Sequence, residues 1–395
     1  MVEQSPLPAT AEIELADVVR RFGADYTAKY GHWMMPSQKR ALEDIAACCT
    51  RELGGRLYRC DDCQESFWRF YCCRNRACPK CHGSQTQQWL QQRQAEILPC
   101  DYFHVVATIP AELRELFRRD QKSMYGLLMQ VSAEAVKELC AEKRHLGALP
   151  AILSVLHTWN GQLGYHPHVH MLISGGGVTP NGRDWQPTRG EFLLPVRALS
   201  RRIAHKFRDA LKERVPTVFQ DIPPTVWCLE WVSFCKHYGR SNDAVLNYLS
   251  RYVFRTAICN ARILDMDRTH VTFRWKNSDT GQWHSVRLPG VEFLRRFLQH
   301  VLPRGFHKVR YYGLWHPSQR HRRNQAWLLL MLEKPADKAQ PPSLAELLEQ
   351  LEQGADLSQQ HAHDGVDDEP DRPRCPHCGG LRTWLLGEWT PFSGP

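Results

Sequence analysis

The sequence contains no run of about eighteen consecutive apolar residues, the length that a helix needs to cross the hydrocarbon core of a membrane. Its beginning, MVEQSPLPATAEIELAD, is acidic and contains proline, so it lacks the apolar core of a secretion signal. The P-loop pattern Gly-x-x-x-x-Gly-Lys-[Ser/Thr] is also absent, which excludes an attached nucleotide-driven motor of that type. From these absences we expect a cytoplasmic protein that does not span a membrane.

The composition and charge of the chain indicate a folded protein that binds nucleic acid. It has 395 residues, of which 43% are hydrophobic and 10% aromatic, as in globular proteins of two or three domains. The net charge is +9, although residues 335–372 carry ten acidic side chains against only Lys338 and Arg372. A basic body with an acidic segment near its end favours nucleic acid as the partner. A merely basic protein without that function would show the same charge.

Cysteine is abundant, with fifteen residues in a chain that shows no sign of secretion, and this points to metal binding and not to disulfides. Two Cys-x-x-Cys pairs are separated by fourteen residues, and each offers two thiolates from one tight turn. Because Zn²⁺ prefers four such ligands in a tetrahedron, the spacing predicts one structural zinc ion bound by Cys60, Cys63, Cys78 and Cys81. Other candidates in this region either build a second site or are buried free thiols; they are Cys48, Cys49, Cys72, Cys73 and His82.

Basic and aromatic side chains alternate around these cysteines. Basic residues suit phosphate contacts and rings suit base stacking, although the rings alone could form the small core of a zinc module. The basic residues are Arg56, Arg59, Arg69, Arg74, Arg76 and Lys80, and the rings are Tyr58, Phe67, Trp68, Phe70 and Tyr71. Over the whole chain, the residues that we predict to contact DNA are Arg74, Arg76, Lys80, Lys236 and Arg251.

A further pair near the end of the sequence, Cys375 and Cys378, supplies half of a possible second zinc site. A histidine would have to complete the ligand set, and the candidates are His361, His363 and His377. Without such a histidine, the pair would bind no metal. The acidic segment 333–372 precedes this pair and is expected to be a flexible linker. Residues 373–395 are therefore interpreted as a separate tail.

The stretch YHPHVHML at 165–172 places three histidines at alternate positions of a predicted strand. Side chains alternate between the two faces of a strand, so all three imidazoles point the same way while Val169 and Met171 point toward the core. Neighbouring imidazoles on one face are well placed to hold one ion or one phosphate. The alternative is a polar strand face that happens to be rich in histidine.

A helix is predicted to begin near Asn242, and it contains Tyr248 and Tyr252. Residues four apart lie on one helical face, so both hydroxyls project together. Two tyrosines at this spacing are usually part of an ordinary amphipathic stripe. This chain is also basic, rich in cysteine and has a histidine strand. The alternative interpretation is therefore that the two tyrosines and the histidines form one reaction centre.

The order of elements predicts an α+β fold. Helices at 11–53, a cysteine-rich loop region at 54–83 and a polar helix at 85–98 form an N-terminal helical and zinc-binding module, residues 1–99. Strands and helices then alternate through a second domain, residues 100–332. Its predicted strands are 102–109, 151–159, 166–174 (stopped by Gly175), 225–234, 271–275, 283–288 and 309–312. The strands 271–275 and 283–288 form a hairpin that turns at 279–281. Its predicted helices are 111–142, 198–213, the one near Asn242, and 289–302.

The histidines and tyrosines carry a family resemblance. His168-Val169-His170 resembles the HUH motif (histidine, bulky apolar residue, histidine) of single-strand DNA endonucleases, and Tyr248 with Tyr252 matches the paired tyrosines of two-tyrosine transposases. Most of the chain resembles the insertion sequence 91 family of rolling-circle transposases, through LGG at 53–55, CRNR at 73–76, CPKC at 78–81, HTW at 157–159, PHVH at 167–170, YLSRYV at 248–253 and CPHCGG at 375–380. The family often has histidine where Arg56 and Ala77 stand here, which argues against a second zinc in the N-terminal module.

The resemblance implies an antiparallel-sheet HUH endonuclease domain with flanking helices. It implies a DNA transposase that nicks and rejoins single-stranded DNA at element ends through 5′-phosphotyrosine intermediates on Tyr248 and Tyr252, in rolling-circle (copy-out or peel-and-paste) transposition. His168 and His170 would hold a catalytic Mg²⁺ or Mn²⁺, as in the family, whereas imidazole ligands alone suit zinc better. The expected partners are single-stranded DNA of transposon ends and target, in the bacterial cytoplasm at the nucleoid.

A third ligand is needed, because two imidazoles bind an ion weakly. His157 lies on the preceding strand, and if residues 160–165 form the turn, that strand runs antiparallel beside the histidine strand. His157 would then reach the ion. His166 is the next candidate, followed by Asn260 or Asn247.

Three alternatives explain part of the pattern. An HUH replication initiator or relaxase-like nickase would use the same chemistry but usually lacks the paired N-terminal cysteine knuckles. A non-enzymatic zinc-finger DNA-binding protein would explain the cysteines and the charge, but not the histidines and paired tyrosines. A three-histidine zinc hydrolase would explain the histidines alone. The sequence does not fix which tyrosine attacks first, nor whether the protein is a monomer or a dimer.

Overall fold

The computed structural model describes residues 13–81, 97–240, 255–277, 280–332 and 373–391, together with Val245, Tyr248, Tyr252 and Val253. The chain divides into two compact units. The first contains Met1–Gln88, Thr256–Val301 and Ser358–Pro395, and the second contains Trp89–Arg255 and Leu302–Leu357. The first unit thus joins residues that the sequence-based division into 1–99, 100–332, 333–372 and 373–395 keeps apart.

Helices and strands occur throughout the described ranges. The helices are α1 (Leu15–Tyr30), α2 (Pro36–Ala47), α3 (Arg114–Arg119), α4 (Gln121–Ala141), α5 (Val196–Arg214), α6 (Pro216–Gln220), α7 (Gly290–Leu298) and α8 (Arg320–Leu332). The strands are β1 (Gly55–Cys60), β2 (Ser66–Phe70), β3 (Asp101–Thr108), β4 (Leu149–Trp159), β5 (Tyr165–Val178), β6 (Trp185–Pro187), β7 (Val232–Arg240), β8 (Ile263–Met266), β9 (His270–Lys276), β10 (Trp283–Pro289), β11 (Val309–Gly313) and β12 (Thr383–Trp389).

The second unit is built on a six-stranded sheet with the order β11-β4-β5-β3-β7, in which β6 pairs with the end of β5. All of its strand pairs are antiparallel. Helices flank the sheet, so the predicted α+β class with an antiparallel sheet is confirmed.

One face of this sheet packs against α4 and α5. Alternate residues of β3 and β5, such as Phe103 and Met171, are fully buried there with Leu128 of α4 and Phe207 of α5. Each apolar side chain buried in this way contributes about 1.5–3 kcal/mol. This face of the sheet therefore forms the larger hydrophobic core of the second unit.

The opposite face packs against the segment that contains the paired tyrosines. Leu153 and Leu172 of the sheet share a buried cluster with Tyr248 and Val253. Of the helix predicted to begin near Asn242, the described residues Val245 and Tyr248 are α-helical, while Tyr252 and Val253 form a π-helical turn. The tyrosine segment is therefore held directly against the sheet.

The histidine strand is longer than predicted. β5 continues through its three glycines to Val178 instead of ending at Gly175. A Cβ on Gly176 would lie 2.6 Å from the Trp185 indole, and one on Gly177 would lie 2.4 Å from the Leu149 carbonyl oxygen. These glycines permit close approach of neighbouring strands and do not break the strand.

Two further element predictions in the second unit are wrong in detail. The strand predicted at 225–234 starts only at Val232, because Pro224–Cys228 form a 3₁₀ helix whose first turn accommodates proline. The helix predicted at 111–142 is interrupted at Asp120, whose carboxylate accepts a hydrogen bond of 3.2 Å from the Ser123 amide and caps α4.

The first unit combines α1, α2 and α7 with two three-stranded sheets, β12-β1-β2 and β10-β9-β8. The region 54–83, predicted to be a loop, thus contributes β1 and β2. α7 begins after Pro289 as predicted and packs against α1, where a Cβ on Gly290 would lie 2.3 Å from the ring of Phe22. The helix ends at Leu298, before the predicted 302.

Several predictions fall outside the described residues. They concern most of the polar helix 85–98, the linker 333–372, position 279 of the hairpin turn, and the residues His82, Asn247, Arg251, His361 and His363. In the part of the chain that is described, no helix combines the length and the apolar character that a membrane crossing requires.

Candidate active site

Three histidines come together on the face of the sheet that packs against the tyrosine segment. β4 and β5 pair so that His157 stands directly opposite His168, and His170 lies two residues further along β5 on the same face. One ring nitrogen from each lies within 4.8 Å of the other two. The structure therefore brings together the three residues that the sequence predicted to hold a divalent ion.

The turn between β4 and β5 sets this register. The side-chain oxygen of Asn160 accepts hydrogen bonds from the amides of Gln162 (3.1 Å) and Gly164 (2.7 Å), and Leu163 adopts a positive φ of 59°. Asparagine favours such turns because its side chain can bind nearby backbone amides. The turn lies where the sequence predicted it, at 160–165, and returns β5 antiparallel beside β4.

Two of the three imidazoles each have one nitrogen hydrogen-bonded to a backbone carbonyl. Nδ1 of His168 lies 2.6 Å from the His166 carbonyl oxygen, and Nε2 of His157 lies 2.6 Å from the Tyr252 carbonyl oxygen. A ring nitrogen that faces a carbonyl must carry the proton, so the other nitrogen of that ring keeps its lone pair. Such bonds orient metal-binding histidines and fix their tautomers.

Burial keeps these imidazoles neutral. It lowers the pKa of His168 to about 4 and holds the pKa values of His157 and His170 well below the ordinary value, with nearby positive charges adding to the effect. Neutral imidazole is the form that binds a metal ion. The cluster is thus prepared for a cation at neutral pH and not for an anion.

The two tyrosines differ in their relation to this cluster. The Tyr252 ring is half-buried, and its centroid lies 4.1 Å from that of His170. Tyr248 is fully buried, with its ring 5.0 Å from Tyr252, and its hydroxyl has no hydrogen-bond partner within the described residues. Burial raises the pKa of Tyr248 well above its ordinary value. Tyr252 is the tyrosine placed at the histidines.

Sequence reasoning missed a fourth histidine, His104 on β3. It is buried, its Nε2 lies 2.9 Å from Nδ1 of His170, and its ring stacks on that of His170 at 5.2 Å. The Tyr252 ring lies 4.7 Å from it. Its signal in the sequence was a histidine within the largely apolar run YFHVVATI. Only strand pairing shows that this residue meets His170.

The other candidates for a third ligand lie elsewhere. Nδ1 of His166 lies 3.0 Å from the guanidinium of Arg114, outside the three-histidine group. Asn260 belongs to the first unit, where its side-chain oxygen accepts a hydrogen bond from the Leu15 amide.

The predicted DNA contacts are spread over both units. Lys236 is exposed on β7 and pairs with His104 across the strands, so it lies on the face that carries the histidines. Arg74 and Arg76 are exposed in the first unit, whereas the Lys80 ammonium donates to the Glu14 carboxylate at 2.8 Å.

The cysteines form two groups of four, and this grouping corrects the predicted single site. Cys78 and Cys81 group with Cys48 and Cys73, while Cys60 and Cys63 group with two cysteines of the tail, Cys375 and Cys378. The first knuckle lies at the turn between β1 and β2, and β2 carries the chain away from that turn, so the two knuckles do not share one group. Cys49 and Cys72 lie beside the first group, with their Sγ atoms 2.8 Å apart.

Comparisons with known proteins point to one kind of protein. A family model described as "Putative transposase" matches residues 151–324, and one described as "Transposase zinc-binding domain" matches residues 18–109. The first range contains His157, His168, His170 and both tyrosines, and the second contains every cysteine of the two groups except those of the tail. No solved structure matches the chain.

Two curated relatives are also named as transposases. "Putative transposase y4qJ" of Sinorhizobium fredii is 38% identical over 319 residues, which make up 76% of this chain and 79% of that protein. "Transposase for insertion sequence element IS801" of Pseudomonas savastanoi pv. phaseolicola is 26% identical over 287 residues, or 68% of each chain.

Proposed function

The chain belongs to the insertion sequence 91 family of transposases, and from that membership we propose that it is an HUH-type single-strand DNA endonuclease and strand transferase. It nicks and rejoins single-stranded DNA at element ends through 5′-phosphotyrosine intermediates and so drives rolling-circle transposition in the bacterial cytoplasm. The observation that carries the proposal is the Tyr252 ring, 4.1 Å from His170 in a group of three convergent histidines.

The three histidines fit a divalent cation. His157, His168 and His170 would hold it through the ring nitrogens that are not engaged with protein, and all three rings are neutral. A bound ion would polarise a non-bridging phosphate oxygen and stabilise the charge that develops during cleavage. Among the ions known in the family, imidazole ligands fit Mn²⁺ better than Mg²⁺, which prefers oxygen.

Tyr252 acts as the first nucleophile. Its phenol oxygen attacks the phosphorus, an O–P bond to tyrosine forms and the bond from phosphorus to the 3′ oxygen breaks. The phenol loses one proton and the 3′ oxygen gains one, so no net proton is consumed. The phosphotyrosine bond keeps the energy of the broken linkage, and a 3′-hydroxyl can therefore rejoin without ATP.

Tyr248 serves the second transfer. Its hydroxyl is fully buried behind Tyr252, and burial raises its pKa, so it is the poorer nucleophile in this arrangement. A shift of the π-helical turn at Tyr252 would bring it within reach of DNA. The two tyrosines therefore act in sequence, with Tyr252 first.

Single-stranded DNA binds along β7, beside the histidines. Phe234 and Lys236 lie on the histidine face of the sheet, where Phe234 is 46% exposed and Lys236 is exposed. An exposed ring next to an ammonium suits an unpaired base and its phosphate. Arg74 and Arg76 of the N-terminal zinc-binding domain, residues 1–99, add phosphate contacts.

Among the alternatives, a replication initiator or relaxase-like nickase would use the same histidines and tyrosine. The match of residues 18–109 to a transposase zinc-binding domain favours the transposase. A DNA-binding protein without catalysis would leave the buried, neutral histidines beside Tyr252 unexplained.

Incubation of the protein with Mn²⁺ and labelled single-stranded DNA from both element ends tests the proposal. We expect a covalent adduct that mass mapping places on Tyr252. Tyr252→Phe keeps the ring and should lower adduct formation by about 10³-fold or more. Tyr248→Phe should leave single cleavage and block complete strand exchange.

The double Phe variant should form no adduct at all. Tyr238→Phe is the matched control, because this tyrosine is near the same cluster, with its ring 5.7 Å from His104, and has no role in the proposal. An adduct that persists in the double variant would overturn the assignment of the nucleophiles.

A further inference from the structure

The last described residues of the chain complete a cysteine group that begins near residue 60. The Sγ atoms of Cys60 and Cys378 lie 3.6 Å apart, as do those of Cys63 and Cys375, and all four lie within 4.8 Å of one another. We propose that these four cysteines bind one structural Zn²⁺, and that the other group of four, Cys48, Cys73, Cys78 and Cys81, holds a separate one. The ligands of the first ion come in two pairs more than three hundred residues apart in the sequence.

Both pairs have the backbone of a metal-binding knuckle. The amide of Cys60 bonds to the Glu65 carbonyl at 2.9 Å, and the amide of Cys375 bonds to the Gly380 carbonyl at 2.8 Å. Each turn contains one residue of positive φ, Gln64 at 58° and Gly379 at 75°. The two turns are thus alike and present their thiols toward one another.

Strand pairing and an ion pair hold the two turns together. β12 pairs antiparallel with β1, from Gly55 opposite Trp389 to Cys60 opposite Thr383. Beyond the strand, the Asp61 amide donates to the Arg382 carbonyl at 2.8 Å, and the Arg382 guanidinium donates to the Asp62 carboxylate. The tail is therefore the third strand of the sheet that carries the first knuckle.

Apolar packing alone is too small to hold the tail in place. Among the described residues, the buried cluster at this site contains only Tyr58 and Phe67 besides the cysteines. The large apolar residues of β12 are about half exposed; they are Trp384, Leu385, Leu386 and Trp389. Small modules with so little core usually need a metal ion or disulfides.

Four convergent thiols fit zinc better than disulfides. The Sγ atoms are separated by 3.6 Å in both close pairs, whereas a disulfide needs about 2.05 Å. Four thiolates around one point are the usual ligand set of structural zinc. The tail pair therefore needs none of the histidines that the sequence offered to complete it.

Zinc counting in the full-length protein tests this site without any reference to DNA cleavage. The wild type should hold two zinc ions per chain, one for each four-cysteine group. Cys375→Ser/Cys378→Ser should lose one ion, and so should Cys60→Ser/Cys63→Ser. Because the two pairs share one ion, the quadruple variant should also lose only one. Addition of Cys73→Ser/Cys78→Ser should remove the second.

Two control variants distinguish loss of a ligand from general unfolding. Cys228→Ser, which removes an exposed cysteine of the second unit, should keep both ions. Cys378→His should keep two metal ions and shift the visible spectrum of the Co²⁺-substituted protein, as expected for a change from four sulfurs to three sulfurs and a nitrogen. Two ions retained by Cys375→Ser/Cys378→Ser, or two ions lost by the quadruple variant, would overturn the shared site.

Discussion

His170 has four neighbours that matter for the proposed chemistry. It shares a potential ion with His157 and His168, its Nδ1 faces His104 at 2.9 Å, and its ring lies against Tyr252. A single ring thus serves as ligand, hydrogen-bond partner and packing surface. Substitutions around it should change metal affinity and reactivity before they change folding.

His104 should position His170 for the ion. If His170 binds the ion through Nε2, its Nδ1–H donates to Nε2 of His104, which fixes the tautomer. His104→Leu should therefore weaken Mn²⁺ binding by about 10- to 100-fold. His104→Gln, which keeps an acceptor, should recover part of this loss.

The Mn²⁺ concentration that supports half-maximal adduct formation measures this effect. His166→Ala is the matched control, because His166 is on the same strand but outside the three-histidine group, and it should bind Mn²⁺ normally. Unchanged Mn²⁺ affinity in His104→Leu would rule out the positioning role.

In the metal-free protein, the histidines should make stability depend on pH. Burial lowers the pKa of His168 to about 4, whereas the unfolded chain titrates near 6.5. Between these values only the unfolded chain binds the proton, so the free energy of unfolding is highest above about pH 6.5 and falls as the pH drops toward 4, by about 3 kcal/mol from this group. Denaturant titrations in EDTA across this range measure it, and His168→Gln should flatten the slope. Equal slopes would contradict the assignment.

At the scale of elements, β5 is the strand on which the site depends. It carries two of the histidines, pairs with β3 and β4 along most of its length, and ends in three glycines that other strands approach closely. Its register decides which residues face Tyr252, because a shift by one residue would turn every side chain to the other face.

Gly177→Ala should loosen this strand. The new Cβ would lie 2.4 Å from the Leu149 carbonyl oxygen, so β4 and β5 must separate at that end, at a cost of about 1–3 kcal/mol. Gly387→Ala, where nothing lies within 4 Å of the new Cβ, is the matched control. Thermal unfolding should show a lower Tm for Gly177→Ala and not for Gly387→Ala. An unchanged Tm of Gly177→Ala would contradict the close packing of β4 against β5 at this position.

At the scale of the whole molecule, the two kinds of metal-binding residues occupy different units. The histidines lie in the second unit, and both cysteine groups lie in the first. The proposed zinc ions would therefore stabilise one unit, while the proposed catalytic ion belongs to the other.

His168→Ala or His170→Ala should abolish DNA cleavage and leave the zinc content unchanged. Elemental analysis of the purified variants, alongside the adduct assay, measures both quantities. Zinc lost in step with activity would show that the two metal systems are not independent.

The sequence by itself determined the local parts of this protein. Strand alternation placed His168 and His170 on one face, the turn at 160–165 brought His157 beside them, and the helical spacing put Tyr248 next to Tyr252. These relations hold over a few residues and follow from backbone geometry alone. The motifs also carried the family, which the comparisons bear out.

Only the tertiary structure decided which distant residues meet. It separated Cys60 from Cys78 and joined it to Cys378 through the pairing of β1 with β12, and it set His104 against His170 through the pairing of β3 with β5. It also buried Tyr248 and left Tyr252 at the histidines. Spacing along the chain holds no record of these contacts, because they depend on the order and register of strands that lie far apart in sequence.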